Sequence, residues 1–149
     1  MIFDRGQDDV VNAAKIRKEK VQQFQELTQD DIDTLERGML TINVLNRIEN
    51  KQNELKTLLN EIGYWNTPIS NKTWNYTQIF DIREFTRLIN NANILRTAFF
   101  TYKTTPNIPP ITYHYTTLNN LEQILYDIDN MITDVKSLYK ECGAYECGE

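Results

Sequence analysis

Residues 117–142 read TLNNLEQILYDIDNMITDVKSLYKEC and carry the clearest helical pattern of the 149-residue chain. Apolar side chains recur there at alternating steps of three and four residues, which places them on one stripe of an α-helix. This stripe, called the seam, consists of Leu118, Leu121, Leu125, Ile128, Ile132, Val135 and Tyr139. With Thr117 as N-cap, the pattern predicts a C-terminal helix over 117–142 and a tail over 143–149. The broad stripe suits contact with helices of the same chain or of another subunit.

The region 1–38 is predicted to hold a peripheral helix followed by a turn. The helix covers roughly 8–27, and its apolar stripe is thin in the middle. In the turn over 28–37, Thr28 and Asp31 have the spacing of a capping box. Gly38 follows, and we expect it to stop this turn in the left-handed conformation that glycine favours.

The region 39–102 is predicted to be a central helical hairpin. Its first helix covers about 43–62 and is followed by Gly63, a residue typical of helix ends. Its second helix begins at Asp81, which has the spacing of a capping box with Glu84, and reaches about residue 101.

Two connections join these helices. The segment 64–78 is polar and aromatic without a clear period, so we interpret it as an ordered connection in which two short strands are an alternative. The segment 103–116 holds three of the four prolines and is predicted to be a stiff linker, with a brief strand over 111–115. The sequence therefore predicts one mainly α domain over 1–149, a helical bundle of three to four helices with aromatic or proline-rich connections and room for short β-hairpin elements.

Charge and hydropathy argue against nucleic acid and membrane as partners. The formal net charge is -5 and the isoelectric point is near 5.0, whereas nucleic-acid affinity comes largely from Lys and Arg on phosphates. The basic residues Lys15, Arg17, Lys18 and Lys20 lie among acidic ones and are typical of a solvated helix face. Apolar runs stay well below the roughly 20 residues that span a bilayer, and the first residues do not resemble a signal peptide. We therefore expect synthesis in the cytoplasm without membrane insertion.

The sequence offers little for catalysis or metal binding. His114 is the sole histidine, and Cys142 and Cys147 are the two cysteines. A structural zinc site needs four ligands of suitable type and spacing, which this set does not supply. Nucleophilic catalysis needs a base beside a Ser, Cys or Thr, and no such pairing is indicated. We predict no enzyme activity, no cofactor and no metal.

Aromatic residues concentrate in the connections, where they suit contacts with other proteins. Tyr and Trp are enriched at interfaces because they bury a large area and keep a polar tip. The candidate interaction residues are therefore Trp65, Trp74 and Tyr76, together with the seam. The alternative is that the rings only cover the ends of the bundle.

Four stretches in this order resemble a family of small proteins, and repeated modules of larger ones, encoded in tail and baseplate gene clusters of phages and prophages of Gram-positive bacteria. They are Asp4–Arg5 with 7–10, Leu45–Glu49 with Gly63–Tyr64, Lys72–Trp74 with Phe85–Leu88 and Leu95–Arg96, and Leu121–Ile128 with the final Gly-Glu. Gly6 stands where the family usually has threonine, and Cys142 and Cys147 stand where its tail has serine, so helix capping and tail contacts are expected to differ.

The resemblance implies a bacteriophage virion structural protein of the tail, the baseplate or a fibre attachment, with no catalytic residues. Its implied partners are itself, as a homo-oligomer, and other virion proteins, because particles repeat subunits through complementary surfaces. Two rival functions stay open. One is a cytoplasmic helical adaptor or assembly chaperone, and the other is a carbohydrate-binding fibre module in which Trp65, Trp74 and Tyr76 stack on sugar rings.

Overall fold

The computed structural model describes residues 1–65 and 67–144, and side chains as far as residue 140. The described chain is mainly helical, which confirms the predicted mainly α class. The helices are α1 (Gln7–Ile16, continued by a π-helical turn over Arg17–Val21), α2 (Gln29–Gly38), α3 (Ile42–Glu61), α4 (Ile82–Ala98) and α5 (Tyr115–Ala144).

The three longest helices form the core, and each of them packs on the other two. Helices α3 and α4 run in the same direction, because Glu49 pairs with Arg87 and Tyr64 packs on Phe99, so the predicted helical hairpin over 39–102 was wrong. Their apolar stripes meet in a cluster of buried side chains that includes Ile48, Leu55, Leu88, Leu95, Leu121 and Ile128. Gln52 is the one polar member of the α3 stripe, and it is fully buried. Its amide donates to the Leu88 carbonyl oxygen at 2.8 Å, and its oxygen accepts from Asn91 Nδ2 at 3.0 Å. Both polar ends of Gln52 are thus satisfied inside the core.

Local signals fix the ends of α3 and α4. Thr41 Oγ1 accepts the Val44 N–H at 3.3 Å, and Gly63 ends α3 with a φ of 96°. Asp81 caps α4 by accepting the N–H groups of Arg83 and Glu84. The Glu84 carboxylate does not accept the Asp81 N–H, because it binds Lys72 and Arg87 instead. Only half of the predicted capping box therefore forms at this helix.

In the N-terminal region, α1 and α2 pack against each other as a helical hairpin. Residues 28–37, expected to be a turn, form most of α2, and the first helix ends at Val21 instead of Leu27. Of residues 7–38 the structure buries Ala13 and Asp31. At the start of α1 the Asp9 carboxylate accepts the Gly6 N–H at 2.8 Å. The reciprocal hydrogen bond of a capping box is missing, because Gly6 lacks the hydroxyl that a threonine would supply.

Gly38 has a different role from the predicted helix stop. It is the last residue of α2, and its φ is not positive. A Cβ at this position would lie 2.0 Å from the Asp9 carbonyl oxygen and 2.4 Å from Ala13 Cβ. Glycine is therefore needed here because α1 and α2 approach too closely for any side chain.

No strand occurs in the residues for which the structure gives a conformation. The predicted hairpin elements in 64–78 and the brief strand over 111–115 were therefore wrong. In the first segment, helix side chains such as Asn46 and Asn91 bind the backbone in place of a partner strand. In the second, the Thr112 and His114 N–H groups bond to carbonyls two residues earlier, which curls the backbone before α5.

At the tip of the α1–α2 hairpin, where α2 begins, a carboxylate links the two helices. Asp31 accepts the Thr28 N–H at 2.9 Å, completes the predicted capping box, and pairs with Lys20 at 2.5 Å. The hydrogen bond from Lys20, followed by the one from the Thr28 backbone, lowers the pKa of Asp31 to about 2.

This lowered pKa predicts an acid-sensitive hairpin. A carboxylate with a depressed folded-state pKa stabilises fully above its ordinary value of 3.8 and loses that contribution as pH falls through about 2. The protection factors of the amides at residues 17–33, which correct for the intrinsic exchange rate at each pH, should therefore fall as pH drops from about 4 to about 2. Asp31→Asn should already show the faster exchange at neutral pH, while Asp33→Asn, which changes an exposed carboxylate of the same helix, should not. Equal protection in Asp31→Asn and the parent chain would contradict this prediction.

Candidate interaction surface

Trp74 was predicted to be an interaction residue, but the structure places its side chain in the interior. Its side chain is only 4% exposed, and its ring Nε1 donates to Glu49 Oε1 at 3.0 Å. Its backbone N–H donates to Asn46 Oδ1 at 2.7 Å, and its carbonyl accepts from Asn46 Nδ2. Trp74 therefore anchors its connection to α3 and cannot stack on a sugar in this conformation.

Glu49 is the centre of that anchor. Its buried carboxylate binds the Arg87 guanidinium of α4, the Lys72 N–H at 3.1 Å and Asn71 Nδ2 at 3.2 Å. A buried charge is tolerated only when it is paired and hydrogen-bonded, as it is here. With its acceptor sites occupied by four donor groups of the chain, this carboxylate serves structure and joins α3, α4 and the connection 69–75.

A second buried network attaches the first residues to α5. Glu122 is completely buried and binds Arg5 Nη2 at 3.1 Å, Arg47 Nη2 at 2.9 Å and the Ile2 N–H. Asn119 accepts the Arg5 N–H at 3.1 Å and donates to the Arg5 carbonyl. Burial lowers the pKa of Arg5, and the Glu122 carboxylate opposes that shift. Sequence periodicity gave no sign of this pairing, although Arg5 belongs to the first stretch of the family resemblance.

Most side chains of the seam pack within the core of the same chain. Its five members from Leu118 to Ile132 are buried in the core against α3 and α4, Val135 is half-buried, and Tyr139 is 69% exposed. An intersubunit coiled coil along the whole seam is therefore wrong for this conformation, because the same side chains cannot pack twice. Only the end of the seam beyond Ile132 is open to another molecule.

Exposed apolar side chains gather where α3 and α4 end. Trp65 is 79% exposed and Phe100 is 65% exposed. The Tyr64 ring packs edge-on against Phe99 with centroids 4.9 Å apart, and Phe99 continues to Phe100 at 5.5 Å. These rings lie at one end of the helical core, beside the final turns of α3 and α4.

Helix α5 passes through this end and continues beyond it. Lys136 pairs with Glu61 at 3.1 Å on the α3 side, and the Tyr102 hydroxyl donates to Asp134 on the α4 side. The hydrogen bond to Asp134 raises the pKa of Tyr102 to about 12, so this contact persists in moderately alkaline solution. One turn further along α5, Leu138 and Tyr139 are exposed. The surface formed by Tyr64, Trp65, Phe100, Leu138 and Tyr139 is called the aromatic end.

The third predicted aromatic residue, Tyr76, lies elsewhere. Its side chain is 94% exposed in the turn that precedes α4, and Ile79 is exposed nearby in sequence. The structure thus separates the three predicted rings. Trp65 joins the aromatic end with Tyr139, Trp74 is internal, and Tyr76 stands on the connection between α3 and α4.

The described residues offer no constellation for metal chemistry. Within the part of the chain that the structure describes, no three His, Cys, Asp or Glu side chains are arranged so that they could hold a metal ion. His114 Nδ1 lies 2.7 Å from Thr116 Oγ1 and its ring stacks on Tyr115. The side chains of Cys142 and of the predicted tail over 143–149, which includes Cys147, lie outside the described residues.

Across residues 1–65 and 67–144, no helix combines the length and apolar character required to cross a bilayer.

Comparison of the chain with protein-family models, with curated proteins and with solved structures gave no match. The physical character of the surface is therefore what bears on function. It carries exposed aromatic side chains just beyond the ends of α3 and α4 and on the last turns of α5.

Proposed function

We propose that this chain is a structural protein of a bacteriophage virion, a helical bundle that belongs to the tail, the baseplate or a fibre attachment and acts by protein–protein assembly. The observation that carries the proposal is the aromatic end. The family resemblance adds the virion context, and the partners we infer are further copies of the chain and other virion proteins.

The exposure of the aromatic end favours an interface. Monomeric proteins rarely expose large contiguous apolar patches, and patches of this kind mark binding surfaces. Trp and Tyr are also the residue types that most often dominate interface energies, because they bury a large area at a small entropic cost. Trp65 and Tyr139 place two such rings on one end of the chain, and Phe100 adds a third aromatic side chain.

The length of α5 supports the same inference. After Ile132, its last core residue, the helix continues for about 18 Å, at a rise of 1.5 Å per residue. Isolated helical turns are marginal in water and depend on packing of their apolar face. Leu138 and Tyr139 would gain that packing from a neighbouring molecule in an assembled particle.

Two buried carboxylates have structural roles in the fold. The carboxylates of Glu49 and Glu122 are neutralised by arginines and held by several hydrogen bonds each. Catalytic carboxylates typically face a cavity that a substrate can enter, whereas these two join structural elements. This arrangement supports a scaffold rather than an enzyme.

The proposal is tested on particles from the strain that encodes the chain. Mass spectrometry of purified particles should detect the protein at a fixed ratio to the other tail proteins. A chain that stays in the lysate and is missing from particles would instead support the cytoplasmic adaptor or assembly chaperone.

The aromatic end is tested with a double substitution. Trp65→Ser with Tyr139→Ser should lower incorporation into particles at least tenfold, because each lost aromatic anchor at an interface centre costs about 2 kcal/mol or more. Both side chains are exposed, so the melting temperature of the free chain should stay the same. Tyr76→Ser is the matched control and should be incorporated normally. Normal incorporation of the double variant would exclude the aromatic end as the assembly surface.

A further inference from the structure

The tip of the α1–α2 hairpin presents one aromatic side chain in an unusual way. Phe24 is 98% exposed and has a φ of 54°, the left-handed region that bulky residues avoid. Its N–H bonds to the Val21 carbonyl, and the Gln25 N–H bonds to the Lys20 carbonyl. These two bonds close α1 as a Schellman motif in which Phe24 takes the position normally held by glycine.

Both the backbone conformation and the exposure of Phe24 are unfavourable. The left-handed conformation is unfavourable for a phenylalanine, and full exposure of its ring gains nothing from burial within the chain. The preceding turn over Arg17–Val21 is π-helical, a geometry that recurs at functional sites. Strain and exposure on the same side chain point to a role in binding another molecule.

A pocket that fits such a ring lies at the other end of the same hairpin. It has a volume of about 200 Å³, and its apolar walls include Val10, Leu40, Phe85 and Leu118. A cavity of roughly 150 Å³ already accepts a benzene ring, so this one accommodates a phenylalanine side chain. Arg37 also lines it.

Phe24 cannot reach the pocket of its own chain. Val10 and Val21 are separated by about 16 Å along the helix axis, and Phe24 lies beyond Val21. A ring that enters the pocket must therefore come from another molecule.

Charge favours a head-to-tail contact over a two-fold one. A groove continues from the pocket along α1 and is lined by Arg17 and Lys18. Antiparallel pairing of two α1 helices across a two-fold axis would place these cations opposite their copies, which is unfavourable. In a head-to-tail contact, the exposed Glu26 and Asp30 beside Phe24 approach Arg17 and Lys18 of the groove instead.

We propose that Phe24 of one copy inserts into the pocket bounded by α1, the α2–α3 connection and the start of α5 of the next copy, so that copies join head to tail. Such a contact is heterologous, and it generates rings or open series of subunits. It deepens the self-association part of the proposed function but uses a surface separate from the aromatic end.

The experiment uses the full chain carrying Trp65→Ser and Tyr139→Ser, in which the aromatic end no longer contributes. Sedimentation velocity should show this parent chain forming a concentration-dependent series of oligomers. Adding Phe24→Gly should leave a monomer with a melting temperature a few degrees higher, because the left-handed strain is relieved. Adding Gln7→Trp, which places a larger side chain at the pocket from an exposed position, should also give a monomer.

Mixing the two monomeric variants is the decisive step. One retains an intact tip and the other an intact pocket, so an equimolar mixture should form dimers and nothing larger. Tyr76→Ser in the same parent removes an equally exposed ring and should leave the series unchanged.

Three results would overturn the inference. They are a parent chain that stays monomeric into the millimolar range, a Phe24→Gly variant that associates like its parent, and a mixture that stays monomeric. The last result would assign Phe24 to a contact other than the pocket. Because particle incorporation is measured separately, absence from virions would remove the proposed function without removing this contact.

Discussion

Glu122→Ala is expected to lower the free energy of unfolding by about 3–5 kcal/mol, the usual cost of removing one partner from a buried ion pair. The substitution leaves the buried Arg5 guanidinium without its anion and takes an acceptor from Arg47 and from the Ile2 N–H. Urea unfolding followed by far-ultraviolet circular dichroism measures the change. For a protein of this size the melting temperature should fall by about 2–4 °C per kcal/mol.

Two further variants separate charge from shape at this site. Glu122→Gln keeps an acceptor oxygen and should lose less stability than Glu122→Ala. Glu54→Ala removes a carboxylate from an exposed pair with Lys51 and should cost no more than about 1 kcal/mol. A Glu122→Ala variant as stable as Glu54→Ala would show that Arg5 and Glu122 are not paired in the interior.

Gly38→Ala is expected to separate α1 from α2. The added methyl group would lie 2.0 Å from a backbone oxygen of α1, which no side-chain rearrangement can relieve. Overpacking of this kind costs about 1–3 kcal/mol, and the upper limit is set by local release of α1. Hydrogen exchange should therefore show lost protection over residues 7–21, while α3, α4 and α5 remain protected.

Gly6→Ala is the matched control for this effect. A Cβ at Gly6 meets its nearest neighbour at 4.0 Å, so alanine fits there without displacement. Protection of α1 should be unchanged in this variant. Unchanged protection of α1 in Gly38→Ala would instead mean that the two helices do not approach as closely as the structure shows.

Periodicity predicted four of the five helices in the described residues because it reports local geometry. The alternating steps from Leu118 to Ile132 require one buried face, and that face is buried. The helix signals at Thr28, Gly63 and Asp81 also act through neighbouring residues, so they could be read from the sequence. The mainly helical fold follows from signals of this kind.

The long-range features could not be predicted in this way. Arg5 and Glu122 are 117 positions apart, and no local pattern links them. From the sequence, Gly38 was interpreted as a glycine that stops a helix. Only the position of α1 shows that it is needed for close packing. Trp74 and Trp65 lie in the same aromatic segment and could not be distinguished from the sequence. Trp74 is buried, and the carboxylate that accepts its ring N–H belongs to Glu49 of α3.

The candidate surface was predicted in part for the same reason. Trp65 and Tyr139 belong to it, but Phe100 and Leu138 were not singled out, because their exposure depends on where the core ends. Phe24 was counted within the first helix, and its left-handed conformation shows only in the structure. Exposure and strain depend on the folded chain and cannot be derived from composition.

Oxidative footprinting of the free chain and of the chain within purified particles tests assembly through the aromatic end most directly. We expect Trp65, Phe100 and Tyr139 to be oxidised readily in the free chain and to be strongly protected in the particle. Buried Trp74 should be protected in both states and serves as the internal reference. Equal oxidation of the three exposed rings in both states, or absence of the chain from particles, would contradict assembly through this surface.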